Sequence, residues 1–392
     1  MQKHQYILAF LVIAFPLLGQ LDSTSVQKEV YNRPFITIGK SPVAIGGYLE
    51  GNTNYFSEDG VSEGLTMEMR RFNIFLFSTI SSRIKFLSEL EFEHGTEEIA
   101  LETAQVDFEF TPAIVFRAGV ILVPIGAFNQ NHDSPKWDFI ERPLVATEII
   151  PTTLSDIGFG LNGSIFQNKM IFTYDFYLVN GLTDRVILND QGRTFLQNGK
   201  SEERFAEDNN GSPAITGRIA LRHLRWGELG ISHYRGAYNS YKIEGEPVDE
   251  RRNVHITAID FNSKMKKLSI NGEFAFNRID VPENISEIFG SQQWGGYLEM
   301  MHPIIQTPLL GSRSATINVG VRAERVDYNK GSFSATGNKI YDEMNALAFA
   351  ISLRPTGDTV IRANYRHHWF RDILGNAAVK NAGFQLGVAT YF

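Results

Sequence analysis

Residue types that carry out chemistry are scattered along this 392-residue chain, and their spacing fits no catalytic or metal-binding motif. The sequence has no cysteine, so disulfides, thiolate ligands and cysteine nucleophiles are excluded. Gly158–Gly163 matches the G-x-G-x-x-G dinucleotide pattern, but it follows a long polar loop and opens a strand instead of a helix. His367 and His368 are adjacent on a predicted strand and must point to opposite faces. We therefore predict no enzyme activity, no metal site and no cofactor.

Charged residues form a more informative pattern, because many of them alternate with apolar residues. Carboxylates dominate in the first half of the chain and arginines in the second half. In a water-filled interior they would form an acidic and a basic wall, whose transverse field favours small polar or charged solutes. The alternative is a set of salt bridges that brace the interior. The candidate lining residues are Lys85, Glu89, Glu91, Glu93, Asp107, Glu109, Arg117, Asp175, Arg218, Arg222, Arg322, Arg354, Arg362 and Arg366.

The elements that would position these residues are strands with one apolar and one polar face. In Ile84–Glu93 the apolar side chains of Ile84 and Phe86 alternate with polar ones, as expected for a strand between lipid and water. The same period of two recurs to the end of the chain and predicts an all-β, antiparallel, up-and-down transmembrane barrel of about sixteen strands. The predicted starts lie near Val43, Leu65, Ser82, Leu101, Ala113, Ile157, Lys169, Pro213, Trp226, Arg251, Lys266, Gln292, Ser312, Tyr341, Asp358 and Lys380.

The connections between these segments alternate in length. Short turns such as Ser81-Ser82 and Gln167-Asn168 oppose long loops such as Asn180–Ser212, which is the asymmetry of short periplasmic turns and long extracellular loops. We also expect Gly95–Ala100 to be a long loop and His302–Gly311 to be an exceptionally long turn on the short-turn side.

The two ends of the chain agree with export to the outer membrane of a Gram-negative-type bacterium. Residues 1–20 are predicted to be a signal peptide, because Lys3 precedes an apolar run that is too short to span a bilayer as a helix. An uncleaved anchor is the alternative. Residues 21–42 are predicted to be a periplasmic lead-in, and residues 43–392 the barrel. The chain ends on an amphipathic strand with a terminal Phe392, which resembles the signal read by the outer-membrane assembly machinery.

The loop Pro124–Asp156 is too long for a plain connection, and its proline and apolar residues indicate a fixed structure. We expect it to fold inward and narrow the barrel, and the alternative is a cap on the rim. The candidate constriction residues are His132, Lys136, Trp137, Glu141 and Arg142.

Around this loop the sequence resembles porins of the phosphate-selective O and P type. The resemblance rests on Arg117-Ala118-Gly119, Val123–Gly126, Glu141-Arg142-Pro143, Ile150–Thr153 and Asp156-Ile157-Gly158, with Ile45–Tyr48 and Phe392 in addition. It implies a sixteen-stranded barrel, a homotrimer, and passive uptake through a constriction lined by the inward loop. The resemblance is poor support for phosphate selectivity, because acidic residues outnumber Lys136 and Arg142 in the loop.

The leading hypothesis from the sequence is a passive porin in outer-membrane lipid that admits small hydrophilic solutes, including anions such as phosphate. A formal net charge of -7 without a basic stripe argues against nucleic acid as a partner. The alternatives are a barrel-embedded hydrolase, a plugged structural or surface-binding barrel, and a soluble secreted sandwich.

Overall fold

The chain forms one closed, antiparallel barrel of sixteen strands in a computed structural model that describes residues 25–37, 41–200, 205 and 208–392. The predicted signal peptide and residues 21–24 of the predicted lead-in lie outside the described residues. Each strand pairs with the next, and β1 pairs with β16 from Tyr48↔Tyr391 to Glu58↔Asn381, which closes the sheet. The strands are β1 Val43–Glu58, β2 Leu65–Ser81, β3 Ile84–Glu93, β4 Glu98–Thr111, β5 Ile114–Leu122, β6 Ser155–Gln167, β7 Met170–Val179, β8 Ala214–His223, β9 Gly227–Ala237, β10 Asn253–Met265, β11 Leu268–Ile279, β12 Gln292–Leu309, β13 Ser312–Asp327, β14 Glu343–Arg354, β15 Thr359–Arg371 and β16 Val379–Tyr391.

The period of two puts apolar side chains on the outer surface and polar ones inside. Ile231, Ile259 and Phe274 are exposed on the outside of β9, β10 and β11, whereas Asp260 and Glu273 on the same strands are buried inside. An apolar outer surface and a polar interior are the arrangement expected of a barrel in lipid. Among the described residues, no helix is long and apolar enough to cross a membrane.

The predicted barrel class and the predicted strand number are confirmed, and each strand begins within about three residues of its expected start. The largest difference is at β4, which begins at Glu98 instead of near Leu101. The expectation of a long loop over Gly95–Ala100 is therefore wrong, because strand pairing continues to Glu93↔Glu98 and leaves only a tight turn.

The expectation of a long turn over His302–Gly311 is also wrong, because β12 continues to Leu309. The segment contains Pro303 and Pro308, which lack an N–H donor for strand pairing. The strand accommodates them through register shifts between Pro303 and Ile305 and between Thr307 and Leu309. The turn itself is tight, and Leu310 and Gly311 have the positive φ values of 49° and 80° that such a turn requires.

The interior of the barrel is largely filled by the connection between β5 and β6. It contains a short helix at Gly126–Gln130 and a π-helical turn at Val145–Ile149, and apolar residues of both pack against the inner wall. The 3₁₀ helix Val26–Tyr31 and the extended pair Ile36–Thr37 also belong to the barrel interior and its rim. These segments, together with inward-facing charges, define the candidate site.

Candidate constriction site

The connection between β5 and β6 enters the barrel as a closed loop, which we call the inner loop and define as residues 123–154. Asn129 fastens its two legs, because its amide nitrogen donates to the carbonyls of Val123 (2.8 Å) and Leu154 (2.9 Å). The amide oxygen of Asn129 also accepts a bond of 2.7 Å from the backbone N–H of Leu154. Since Asn129 is fully buried, the loop is held as a fixed structure at its neck.

One wall of the barrel holds the start of the inner loop through Glu273 on β11. Its carboxylate accepts the N–H groups of Ala127 (2.8 Å) and Phe128 (3.0 Å). Gly126 lies against that carboxylate with a φ of 69°, and a Cβ there would stand 2.6 Å from Oε1. The close approach and the left-handed backbone both require glycine at this position. Ile149 and Ile150, further along the loop, pack on the same side against an apolar cluster that includes Ala258 and Ala275.

Strands β13, β15 and β2 hold the middle of the inner loop by hydrogen bonds and ion pairs. The backbone N–H of Ile140 donates to the Asn364 amide (2.7 Å), and that of Leu144 donates to the Glu324 carboxylate (2.6 Å). Arg70 binds the Glu141 carboxylate through two bonds of 2.9 and 2.8 Å. Burial works to raise the pKa of Glu141, but the charge and hydrogen bonds of Arg70 outweigh it and hold that pKa below its ordinary value. The inner loop therefore crosses the barrel from wall to wall.

Three cavities follow one another along the barrel past the inner loop. One cavity at the long-loop end has a volume of about 850 Å³ and includes Arg71 and Arg142 in its lining, and another at that end, of about 660 Å³, includes Glu141. The cavity at the short-turn end has a volume of about 290 Å³ and includes Trp137 and Lys136. Between the cavities of about 850 and 290 Å³ lies a gap of about 10 Å³ that shares Arg71 and Arg142 with the former and Trp137 with the latter. We call this gap the waist; its other lining residues are Phe128, His132, Ser134, Phe139, Ile140, Glu141 and Arg322.

The hydrogen-bonding capacity left free at the waist belongs to arginine. Two guanidinium nitrogens of Arg142, Nε and Nη2, have no hydrogen-bond partner, and the nearest ion-pair contact is Glu91 at 4.0 Å. Arg366 forms ion-pair contacts with Glu324 at 3.5 Å and with Glu141 at 4.0 Å, and its Nε and Nη2 have no hydrogen-bond partner. Glu141 in contrast has both oxygens engaged by Arg70 and one also by Gln385.

The described part of the predicted lead-in also lies inside the barrel. Arg33 is buried, forms an ion pair of 2.8 Å with Glu89, and binds the Asp133 carboxylate of the inner loop at 2.6 Å. Burial works to lower the pKa of Arg33, but the charges of Asp133 and Glu89 outweigh it and raise that pKa well above its ordinary value. The backbone N–H of Val26 reaches Glu228 on the opposite wall (3.1 Å). This segment and the inner loop are thus connected to each other through one arginine.

Four of the five predicted constriction residues line the waist, namely His132, Trp137, Glu141 and Arg142. His132 lies buried with Nε2 3.0 Å from Glu102, and the ring of Trp137 packs at a tilt against Phe128 with ring centroids 4.9 Å apart. Lys136 faces the cavity at the short-turn end, where it forms an ion pair with Glu29 at 3.3 Å. Arg142 lines the waist directly.

The predicted lining residues all lie on the inner face, but few of them reach the waist. Arg322 lines it, while Glu91 and Arg366 stand beside its residues. Arg354 and Arg362 bind the inner loop from outside the waist, at Asp138 (2.9 Å) and at the Ser134 hydroxyl (3.0 Å). The residues placed elsewhere along the inner wall are Lys85, Glu89, Asp107, Glu109, Arg117, Asp175, Arg218 and Arg222.

The sequence pattern predicted an acidic wall and a basic wall, but the described residues do not form two unpaired walls of opposite charge. Arg117 pairs with Asp107 at 2.7 Å, Arg218 with Asp260 at 2.6 Å, and Arg322 with Glu324 at 3.0 Å. The acidic and basic residues do lie on different arcs, but each arc contains its own counter-charges. These three arginines form salt bridges that brace the barrel wall, which was the alternative prediction. Pairing is expected because a buried charge is costly unless it has a partner of opposite charge.

Sequence reasoning missed several residues that hold the site, for two different reasons. Glu299 and Glu324 follow the same alternation as their neighbours and could have been found by it. Arg70 and Glu102 could not have been found in this way, because β-bulges turn them inward. In β2, Arg71 pairs with Glu50 and Met69 pairs with Gly51, so Arg70 is the extra residue of a bulge. An equivalent shift in β4 places Glu102 beside Thr103 inside the barrel.

One cluster could supply metal ligands. Glu89, Glu91, Glu102 and His132 bring one ligand atom each within 4.8 Å of one another. This cluster was not predicted from the sequence, because its residues come from two strands and the inner loop. Arg33 at 2.8 Å from Glu89 and Arg71 at 3.2 Å from Glu91 already neutralise two of these carboxylates. A cation would have to displace these guanidinium groups, so we interpret the cluster as part of the ion-pair network that fixes the inner loop.

Comparisons with known proteins agree with this architecture. No protein-family model matches the chain. A protein of Aquifex aeolicus (strain VF5) described as uncharacterized is 30% identical over 213 residues, which is 50% of this chain and 47% of that protein. The match thus spans about half the length of that curated relative.

The similar solved structures are outer-membrane barrels. The anion-selective porin from Comamonas acidovorans has a TM-score of 0.56 at 12% identity and covers 89% of this chain and 99% of its own. The outer-membrane channel DcaP of Acinetobacter baumannii has a TM-score of 0.56 at 10% identity, covering 91% and 99%. OmpT of Vibrio cholerae in its trimer form has a TM-score of 0.52 at 10% identity, covering 90% and 100%.

At these identities the likeness concerns the fold. Together with the closed sheet and the apolar outer surface, it defines the chain as a porin-like β-barrel of the outer membrane of a Gram-negative bacterium.

Proposed function

We propose that this barrel is a passive channel for small polar solutes and that the waist sets its selectivity. The observation that carries the proposal is the line of three cavities, which runs from the long-loop end to the short-turn end and narrows between the inner loop and Arg71, Arg142 and Arg322. A solute that follows this line must pass these side chains.

We further propose that the channel prefers small anions, phosphate among them. The support is chemical: the unused hydrogen-bond donors at the waist are guanidinium nitrogens of Arg142 and, beside it, of Arg366. Guanidinium groups bind carboxylate and phosphate oxygens through paired hydrogen bonds.

The size of the waist predicts a small conductance. A gap of about 10 Å³ holds about one water molecule. Solutes larger than water can therefore pass only when the long side chains of Arg71 and Arg142 move aside. We expect unitary currents well below those of a wide, water-filled barrel.

The test is single-channel recording of the refolded protein in a planar bilayer, with the reversal potential measured across a KCl gradient. We expect small, discrete steps and a reversal potential on the anion side. Steps with a cation-side potential would retain the channel and refute the anion preference. A folded protein without steps would refute the channel.

A plugged structural or surface-binding barrel is the second candidate, and the narrowness of the waist together with the buried lead-in segment favours it. It predicts that deleting residues 25–37 opens a conductance that the full chain lacks. The remaining alternative, a barrel hydrolase, predicts turnover of ester or peptide substrates that is lost on substituting a single Ser, His or Asp. We propose no such activity.

We also propose that the barrel assembles as a homotrimer in outer-membrane lipid. The support is its likeness in fold to OmpT in its trimer form. Native mass spectrometry of the detergent-solubilised protein would give the number of copies, and a monomer would refute this part of the proposal.

A further inference from the structure

The cavity of about 850 Å³ at the long-loop end contains polar side chains whose hydrogen-bonding capacity is not used. We call this cavity the upper pocket; it adjoins the waist and shares Arg71 and Arg142 with it. Its lining combines regions that are distant in sequence, namely strands β2 to β4, the inner loop, and the loop between β7 and β8. A solute that enters from the long-loop end meets this pocket before the waist.

One side of the upper pocket is a group of residues fixed by hydrogen bonds. The amide nitrogen of Gln197 donates to the carbonyl of Thr152 (3.1 Å), and the ammonium of Lys200 donates to the carbonyl of Thr153 (3.1 Å). Arg142 donates to the hydroxyl of Thr153 at 3.4 Å. These bonds join the loop between β7 and β8 to the inner loop, so they place Arg142, Thr152 and Gln197 close together.

Several polar atoms of this group have no hydrogen-bond partner. They are Nε and Nη2 of Arg142, the hydroxyl of Thr152 and the amide oxygen of Gln197. Thr152 is only 1% exposed, and a buried polar atom without a partner is costly. The guanidinium nitrogens can only donate and the amide oxygen can only accept. A ligand that satisfies both therefore carries an acceptor and a donor within one small group.

The other side of the upper pocket is acidic. Glu91 and Glu93 both line it and both pair with Arg71, at 3.2 and 2.7 Å. Glu98 also lines the pocket, but it forms no ion pair with any residue that the structure describes. Since Glu98 is the cross-strand partner of Glu93, the two side chains lie on the same inner face of the sheet. The pocket thus combines unused guanidinium donors with an unpaired carboxylate.

We propose that the upper pocket binds the head group of a free α-amino acid. The carboxylate is held by Arg142 and the hydroxyl of Thr152, and the ammonium by the amide oxygen of Gln197, on the side where Glu98 adds negative charge. Arginine binds a carboxylate through two parallel hydrogen bonds. A phosphate ion would use the same donors, but it would leave the amide oxygen of Gln197 without a donor and would be repelled by Glu98. The inference rests on the proposed channel, because the pocket lies on the line of cavities that leads to the waist.

The first test is isothermal titration calorimetry of the unmodified full chain, refolded in detergent, with four probes. Alanine carries both charged groups, propionate lacks the ammonium, ethylamine lacks the carboxylate, and inorganic phosphate is a plain anion. Since a hydrogen bond to a charged group contributes about tenfold or more in affinity, alanine should bind at least about tenfold more tightly than each of the others. Equal binding of propionate or phosphate would show a plain anion site, and equal binding of ethylamine a plain acidic site. Either result, or no binding of alanine, would overturn the proposal.

Calorimetry does not depend on ion flow, so this test is separate from that of the channel. Open channels in a planar bilayer without calorimetric binding of alanine would refute the pocket and retain the channel. Binding of alanine by a chain that gives no current would refute the channel and retain the pocket.

The second test localises the ligand with two threonine variants of equal shape change. T152V removes the hydroxyl that has no partner, whereas T147V removes a hydroxyl of the same pocket that is bonded to the carbonyl of Leu144 at 3.5 Å. We expect T152V to bind alanine about tenfold more weakly, and T147V to bind it as the unmodified chain does. Equal affinities of the two variants would place alanine elsewhere and overturn the proposed site.

Discussion

Replacing Arg142, which lines the waist, by glutamine should weaken the anion preference of the channel. The effect should be larger than that of removing a single lumen charge far from the waist. Arg142 lines both the waist and the larger cavity, and two of its nitrogens have no hydrogen-bond partner. An anion about 5 Å from this charge gains about 0.8 kcal/mol in water and roughly 3 kcal/mol at an effective dielectric constant of 20. Glu91 and Glu141 near Arg142 offset part of its charge, so we take an intermediate value of about 1.4 kcal/mol, or about tenfold in the anion-to-cation permeability ratio.

The assay is the reversal potential of R142Q across a KCl gradient, compared with K85Q as a control. Lys85 also faces the interior, but it is paired with Glu109 at 3.0 Å and its side chain is 38% exposed, so solvent screens its charge. We expect K85Q to retain the permeability ratio of the unmodified chain. If R142Q and the unmodified chain both form open channels with the same anion-to-cation permeability ratio, the role assigned to the waist is refuted.

Three further predictions concern the waist and the inner loop. F139A removes a buried ring that packs on Arg322 at 4.6 Å, so it should widen the waist and raise the unitary conductance severalfold; an unchanged conductance would place the narrowest point elsewhere. Because the pKa of Glu141 is held below 4.5, its pairing with Arg70 stabilises the fold fully above about pH 4.5 and less at lower pH. E141Q should therefore lower the free energy of unfolding by about 2 kcal/mol at pH 7 and flatten its fall below pH 4.5, as denaturant titrations would show; an unchanged pH profile would contradict this. N129A removes three hydrogen bonds at the neck of the inner loop and leaves the backbone N–H of Leu154 without its acceptor, so it should cost about 3 kcal/mol; a cost within 0.5 kcal/mol would show that the neck is fastened elsewhere.

The strands could be predicted from the sequence because the lipid imposes one rule on every strand. A side chain at every second position must be apolar, and no packing inside the barrel can override that requirement. This is why β12 and β13 could be placed at Gln292 and Ser312 from the pattern alone. The rule has little force at the ends of strands, where His302–Gly311 was misinterpreted as a long turn.

The candidate site could be predicted only in part, because its geometry depends on contacts that have no period. The length and composition of the inner loop indicated that it folds inward, and four of the five loop residues named from the sequence line the waist, whereas Lys136 faces the cavity at the short-turn end. Arg33 lies in a segment without any alternation, and Arg70 faces inward only because a bulge inserts it. The pairing of Arg218 with Asp260 depends on strand register, which the pattern of one strand does not contain.

The most direct test of the permeation path uses the absence of cysteine from the chain. Ser134 lines the waist, so S134C places the only thiol of the protein at its narrowest point. In a planar bilayer, a negatively charged methanethiosulfonate reagent should reduce the current through S134C channels and leave the unmodified chain unaffected. Complete labelling of the thiol, shown by mass spectrometry, with an unchanged current would contradict a path through the waist.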